Sequence, residues 1–188
     1  MLKILEPKRH EILFFYQVLY SAIGELAALD KETTLLDICC GTGTIGLSLA
    51  SSCGQVIGIE MVSSAAKDAQ ENAKLNNLSE TCEFFSGKAE DFLEPVLLRC
   101  KYKKIVAVVD PPRAGLHQRV IQTLRKCDKI QRLVYAACDA NASLRSFGDL
   151  ARAASKNYKG KPFMPTKIVP VDMFPDSPHF ELVVLFER

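Results

Sequence analysis

"LLDICCGTGTIG", residues 35–46, joins a short apolar run to three glycines and then to the apolar spacing of a helix. Gly41, Gly43 and Gly46 satisfy G-x-G-x-x-G at a strand-to-helix turn. Glycine there lets a ligand approach the backbone, and the first turn of the helix offers N–H groups that have no intrahelical partner. Glu60 closes the next apolar run, "VIGIE", 19 residues after Gly41. That spacing suits a carboxylate that accepts hydrogen bonds from ribose hydroxyls. Two cofactor classes fit the arrangement, a nicotinamide dinucleotide and S-adenosylmethionine. The glycines alone do not choose between them.

Outward from this turn the same rhythm continues. "TIGLSLASS" reads as helix, "QVIGIE" as strand, "SSAAKDAQENAKLNN" as helix, "CEFFSG" as strand and "AEDFLEPVLLRC" as helix. "KIVAVVD" and "RLVYAAC" are then strands, each followed by a helix, "LHQRVIQTLRKC" and "SLRSFGDLARAAS". Strands alternating with helices predict right-handed crossovers, hence an α/β fold with a mostly parallel sheet and helices on both faces. The end of the chain breaks the rhythm. "FMPTKIVPVDMF" and "HFELVVLFER" are separated only by "PDSP", which predicts a C-terminal antiparallel hairpin. Ahead of the first strand, "EILFFYQVLYSAIGELAALD" has helical spacing and predicts a leading helix within residues 1–30.

Composition narrows the class. The chain has 188 residues and 48% hydrophobic content, which suits one domain spanning 1–188. Seven cysteines, an odd number without C-x-x-C spacing, argue against a disulfide framework or a zinc site. The expectation is a reducing compartment, cytosol or nucleus, and no metal. No charged-then-apolar leader and no apolar run of about 18 residues is present, so no membrane association is expected. A net charge of +2 does not announce a nucleic-acid binder, so any basic face must be local. Nothing points to a protein partner, and a monomer is expected.

"VAVVDPPRAGLH" supplies a second site signal. It ends a strand with Asp110, Pro111, Pro112 and Arg113, at the carboxyl edge of the sheet where open α/β folds bind ligands. Two prolines stiffen the loop and remove backbone donors. A dinucleotide reductase has no evident use for such a rigid acidic corner. An enzyme that holds a flat base beside a methyl donor does.

Taken together, "LLDICCGTGTIGLSLA", "VIGIE", "DPPRAGLH", "VYAAC" and "VDMFPDSPHFELVVLFER" resemble the catalytic domain of the RNA (uracil-5-)-methyltransferase family, its animal tRNA branch in particular, over residues 19–188. The resemblance implies a class I S-adenosylmethionine-dependent, Rossmann-like fold, with S-adenosyl-L-homocysteine as product. It also implies methylation of uridine C5 in the T-loop of tRNA through a cysteine–C6 covalent intermediate. By motif position Cys138 is the nucleophile, Glu181 the base, and Asp110 orients the uracil or the thiol, while Arg113 contacts substrate or steadies the loop. The implied cofactor contacts are Cys39, Gly41, Gly43, Thr44, Glu60 and Asp110, with Glu90 at the adenine end. The chemistry needs both a thiol and a carboxylate. Uracil C5 becomes nucleophilic only after a thiolate adds at C6, and the C5 proton must then be removed so that the thiolate can leave.

Three departures from the family stand out. Where the family has "SCNP", this chain has Ala137-Cys138-Asp139-Ala140, which loses a proline brace and sets a negative charge beside the thiol. Like charge disfavours a thiolate, so reduced reactivity or a mobile loop is expected. The family's upstream "FFQVN" has no counterpart, because "FFYQV" lies too close to Leu19 and Tyr20, and Gln17 reads as a surface or packing residue. The family's N-terminal RNA-binding regions do not fit within 188 residues and are expected to be absent. A catalytically weak S-adenosylmethionine-binding fragment or RNA-binding scaffold is therefore the alternative reading.

A basic stretch gives RNA some local support. Arg145, Arg152, Lys156, Lys159, Lys161 and Lys167 interleave with Tyr158 and Phe163, a composition that either neutralises phosphates or forms a solvated face. His117 and His179 read as loop and turn residues.

Overall fold

The computed structural model describes residues 10–156, 158–173, 176–177 and 179–188, with side chains from Tyr16 onward. In chain order these form α1 (His10–Ala27), β1 (Thr33–Ile38), α2 (Thr44–Leu49), β2 (Gln55–Glu60), α3 (Ser63–Leu75), β3 (Cys82–Ser86) and α4 (Ala89–Leu97). There follow β4 (Lys104–Val109), α5 (Gln118–Lys126), β5 (Ile130–Ala137), α6 (Ala140–Ala151), β6 (Met164–Val171) and β7 (Glu181–Glu187). The strand-and-helix alternation read from the sequence is present throughout. The "PDSP" turn includes Pro175 and Pro178, which lie outside the described residues.

The strands form one sheet in the order β3-β2-β1-β4-β5-β7-β6. β1 to β5 pair in parallel, and β7 is antiparallel to both β5 and β6. The chain moves outward from β1 to β3 and then crosses back to β4, so the direction of winding reverses between β1 and β4. The carboxyl ends of those two strands therefore open a crevice, the usual ligand position in such sheets.

Strand alternation assigns each residue to one of two cores. Leu35, Val56, Val106, Val108, Val134, Ala136, Val183 and Leu185 pack with α1, α2 and α3. Their neighbours Leu36, Ile57, Ala107, Val109, Leu133, Tyr135, Val184 and Phe186 pack with α4, α5 and α6. Period-two alternation carries the first set forward to positions 37, 60, 110, 138 and 181 at the strand ends. The site residues thus share one face of the sheet, that of α1 to α3.

Two arginines close helix ends inside the fold. Arg125, fully buried, donates from Nη1 to the Asp149 and Leu150 carbonyls at 2.8 and 3.2 Å, at the end of α6. Arg188 donates to the carbonyls of Leu124, Arg125 and Cys127 at the end of α5, and its guanidinium lies 4.3 Å from the Phe163 ring centroid. Unpaired carbonyls and the negative end of the helix dipole favour a cation at both places. No helix among the described residues is long and apolar enough to cross a membrane.

Candidate cofactor and substrate site

The glycine turn owes its shape to backbone that side chains rarely tolerate. Cys39, Gly41 and Gly43 have φ of 64°, 53° and 80°. A Cβ on Gly43 would lie 2.9 Å from the Phe84 ring and 3.0 Å from Ala69, so this glycine is required by packing. A Cβ on Gly41 would meet nothing within 4 Å. The space above Gly41 is open, as a cradle for a ligand must be.

Asp37 holds the turn from below. It is fully buried, and its Oδ2 accepts the Gly46 N–H at 2.8 Å while Oδ1 has no partner. Burial pushes its carboxyl up to about 7, the Gly46 N–H pulls it down, and the charges of Asp110 and Glu60 add to the rise. Asn72 donates from Nδ2 to the Thr42 carbonyl at 3.1 Å and ties α3 to the loop. Tyr20 on α1 donates its phenol to Thr44 Oγ1 at 2.8 Å and senses the charges of Asp110 and Asp37, which puts it over the same crevice. Thr44 keeps its own hydroxyl proton available for donation.

Glu60 is held by two backbone donors. Its Oε2 accepts the Gly41 N–H at 2.9 Å and its Oε1 the Val62 N–H at 2.7 Å. Each carboxylate oxygen retains a further acceptor site, so a ribose diol can still bind there. The Cys39 thiol is pushed up to about 12 by burial, and then by Glu60, Asp110, Asp37 and Glu90 in that order. All four carboxylates are therefore within electrostatic reach of one thiol. Glu90 stands in the first turn of α4.

At the substrate side, β5 ends at Ala137 and Cys138 follows, exposed. Cys138 is not a packed core thiol. Ala137 pairs with Leu182, so the next position across the antiparallel ladder sets Cys138 beside Glu181. Glu181 is 8% exposed, and burial followed by the Asp110 charge pushes its carboxyl up to about 7. Asp110 is open to solvent over part of its surface, yet the crowded crevice raises its carboxyl as well.

The departures at this edge have structural reasons. Asp139 is the N-cap of α6, accepting the Ala142 N–H at 3.0 Å, so the helix begins three residues before the sequence suggested and the cap braces the turn that lacks proline. Gly115, at φ 75°, closes the "DPPRAGLH" loop, and the Leu116 N–H donates to Ser146 Oγ on α6 at 3.0 Å. The loop bearing Asp110 and the helix that follows Cys138 are thereby fastened together. Gln17 is exposed on α1, where it lines a shallow concavity with Val18, Ser21 and Glu25. His117 caps α5, its Nδ1 accepting the Arg119 N–H at 3.3 Å.

Phe163 is fully buried in the α4 to α6 core, and Tyr158 has the Arg152 and Arg125 guanidinium groups 5.0 and 5.7 Å from its ring. Neither aromatic is offered to a base, because each packs under an arginine. Two residues of the crevice escaped the sequence reading. Asp37 left a signal, a lone acid in an otherwise apolar strand, whereas nothing in the spacing of α1 distinguishes Tyr20.

A sheet wound 3-2-1-4-5-7-6, with an antiparallel β7 and a glycine turn facing an acid at the end of β2, is the scaffold of S-adenosylmethionine-dependent methyl transfer. The chain belongs to the methyltransferase domain family, whose profile matches residues 29–172. Within that class it is 50% identical to the Mus musculus tRNA (uracil-5-)-methyltransferase homolog A over 92% of this chain and 28% of the relative. It is 47% identical to the Mus musculus homolog B over 92% of this chain and 36% of the relative. The chain thus spans about a third or less of these relatives. Among solved structures it resembles the Pyrococcus abyssi tRNA (uracil-54, C5)-methyltransferase in complex with S-adenosyl-L-homocysteine. That match has a TM-score of 0.71 and 29% identity, and covers 90% of this chain and 36% of the other. The nicotinamide reading of the glycine turn is set aside.

Proposed function

We propose that this domain methylates C5 of uridine in tRNA, in the T-loop, with S-adenosylmethionine as donor. The observation that carries the proposal is that Cys138 directly follows β5 while Glu181 opens β7, one step beyond the Ala137–Leu182 pair, with the Asp110 charge reaching Glu181. The open space above Gly41, the two-point anchorage of Glu60 and the ring of carboxylates around Cys39 fit a cofactor with a ribose and a cationic sulfonium. Glu60 would receive the ribose hydroxyls, the Gly41–Thr44 turn would face the amino-acid portion, and Glu90 would stand toward the adenine. Bound there, the cofactor supplies an electrophilic methyl group and leaves as S-adenosyl-L-homocysteine.

The chain's own residues do the rest. Cys138 Sγ, as thiolate, bonds to C6 of uracil and moves the electron pair of the C5–C6 double bond onto C5 and the C4 carbonyl oxygen. C5 takes the methyl group and then carries both the methyl and a proton. Glu181 accepts that proton, the C5–C6 double bond re-forms, and the C6–S bond breaks to return the thiolate. A carboxyl held near 7 is suited to this step, because a base matched to neutral pH is partly ionised and still worth protonating. Asp110 lies between the two halves of the crevice, where it orients the uracil edge.

The test is intact-protein mass after incubation with S-adenosylmethionine and tRNA containing 5-fluorouridine, with Cys138→Ala in parallel. Fluorine at C5 does not leave as a cation, so elimination stops. A covalent adduct that disappears in the variant is the expected result. Cofactor binding without any adduct in the unaltered chain would select the alternative, a domain that binds S-adenosylmethionine without transferring the methyl group.

A further inference from the structure

Charge is sorted along the sheet. Asp37, Glu60, Glu90, Asp110 and Glu181 gather at the carboxyl ends of the strands, in and around the crevice. RNA is a polyanion, and apart from the exposed Arg113 this acidic edge offers its phosphates little to hold. On the reading of the site given above, affinity for the substrate must come from another surface of the domain or from beyond it.

At the opposite ends of the strands three loops carry lysines. The α4–β4 connection has Lys101 and Lys103, the α5–β5 connection follows Lys126 and holds Lys129, and the α6–β6 connection has Lys159 and Lys161, all six exposed. The loops are neighbours in space. β4 and β5 pair from Ile105 and Ile130 onward, Arg188 bonds to the Lys161 carbonyl at 3.1 Å and the Arg125 carbonyl at 2.6 Å, and Arg125 bonds to the Gly160 carbonyl at 3.2 Å. The lysines that the sequence placed in a patch of their own therefore continue a larger basic edge.

Between the first two loops lies an open cleft of about 570 Å³, with Lys103, Lys104, Lys129, Arg132 and Arg188 among its lining and only Asp128 and Glu187 as acids. Lys104 is paired with Asp30 at 2.6 Å and Arg132 with Glu187 at 2.5 Å. No ion pair among the described residues engages Lys103 or Lys129. Acids do stand at this edge, Asp30 and Glu32 before β1 and Glu187 at the end of β7, but the three loops themselves carry six exposed lysines against Asp128 as their one acid, in a chain whose formal charge is only +2.

We infer that this lysine-lined edge is an RNA-contact surface, which grips backbone phosphates of the substrate while the target base enters at the opposite edge. The strands between the two edges rise about 20–26 Å at ~3.3 Å per residue, a span that a folded RNA arm bridges. The contacts are to phosphate, so they supply affinity and orientation without sequence preference.

The experiment measures tRNA affinity from 50 to 300 mM salt for the unaltered chain and for two triple variants. The first, Lys103→Gln, Lys126→Gln and Lys129→Gln, alters the basic edge. The second, Lys67→Gln, Arg145→Gln and Lys167→Gln, makes the same change in net charge at exposed positions of α3, α6 and β6, outside the three loops. S-adenosylmethionine binding is measured on all three. The edge variant is expected to bind tRNA about tenfold more weakly at low salt and to lose roughly two units of the log–log salt slope, with cofactor affinity unchanged. Equal losses in both variants, or none in either, would overturn the inference. So would poly-glutamate competing as well as RNA, which would mark a surface for acidic protein. An unaltered chain that binds the cofactor but not tRNA would overturn it while leaving the cofactor site standing, and failure to bind the cofactor would overturn the methyltransferase reading itself.

Discussion

Glu181 lies at the buried start of β7 within reach of the Asp110 charge, and these two effects push its carboxyl up to about 7. The pair predicts a pH dependence in both rate and stability. As the proposed base, Glu181 would act only when ionised, so the rate of the elimination step should rise with pH through about 7. Glu181→Gln should lower turnover by roughly 10²–10⁴ while leaving the Cys138 adduct able to form and accumulate. Rapid-quench kinetics on unfluorinated tRNA would check this, and unchanged turnover would remove Glu181 from the mechanism.

Stability runs the other way. The folded carboxyl binds its proton more tightly than the unfolded one, so between about 4.5 and 7 the folded state holds more protons and loses stability as pH rises. The full penalty above that window is about 3 kcal/mol. Glu181→Gln should therefore gain on the parent by that order between pH 4 and pH 8, read from denaturant midpoints. A pH-independent difference would show that the carboxyl is not raised.

The carboxylates of the crevice should also discriminate between donor and product. S-adenosylmethionine carries a sulfonium charge that S-adenosyl-L-homocysteine lacks, and burial pushes the Asp37, Asp110 and Glu181 carboxyls upward. A cation favours their ionised forms, so its binding releases protons. The preference for donor over product should therefore grow as pH rises from 5 to 8, by several-fold in the ratio of dissociation constants. Calorimetry in buffers of differing ionisation enthalpy measures the protons released, and a flat ratio would mean the acids do not face the sulfonium.

Gly41 and Gly43 should fail in different ways when changed to alanine. Gly43 adopts φ 80° and its Cβ would press on Phe84 and Ala69, so Gly43→Ala should cost about 2–3 kcal/mol of stability from strain and overpacking together. Gly41 adopts φ 53° but faces open space, so Gly41→Ala should cost about 1 kcal/mol while weakening the cofactor at least tenfold. Thermal melts with and without S-adenosyl-L-homocysteine separate the two effects.

Helix ends give a test away from the crevice. Arg188→Ala removes the cation from the carbonyls that end α5 and should lower stability by about 2–3 kcal/mol. Asp139→Ala should cost about 1 kcal/mol by uncapping α6, whereas Asp139→Asn keeps an acceptor for the Ala142 N–H and should stay within about 0.5 kcal/mol of the parent. The same Asp139→Asn change removes the charge beside Cys138, so its alkylation at neutral pH should be faster. Equal alkylation rates would mean that the cap, and not the charge, is why aspartate stands there.

Local pattern was sufficient for much of this molecule. The alternation of apolar runs and helical spacings specified a parallel sheet, because strands buried on both faces and crossover helices each impose their own period on the chain. The break in that alternation after residue 163 specified the antiparallel hairpin. Glycine spacing and the acid at the end of β2 marked the crevice, since such a turn admits few other residues. What local pattern does not contain is proximity between distant segments. Only the sheet order brings β7 between β5 and β6 and sets Glu181 beside Cys138, only the packing of α1 delivers Tyr20 to Thr44, and only the joining of three loops turns scattered lysines into one edge. Burial is likewise a tertiary property: Phe163 looks like a surface aromatic among lysines, and Asp37 becomes a proton-binding carboxyl only when helices close over the strand that carries it.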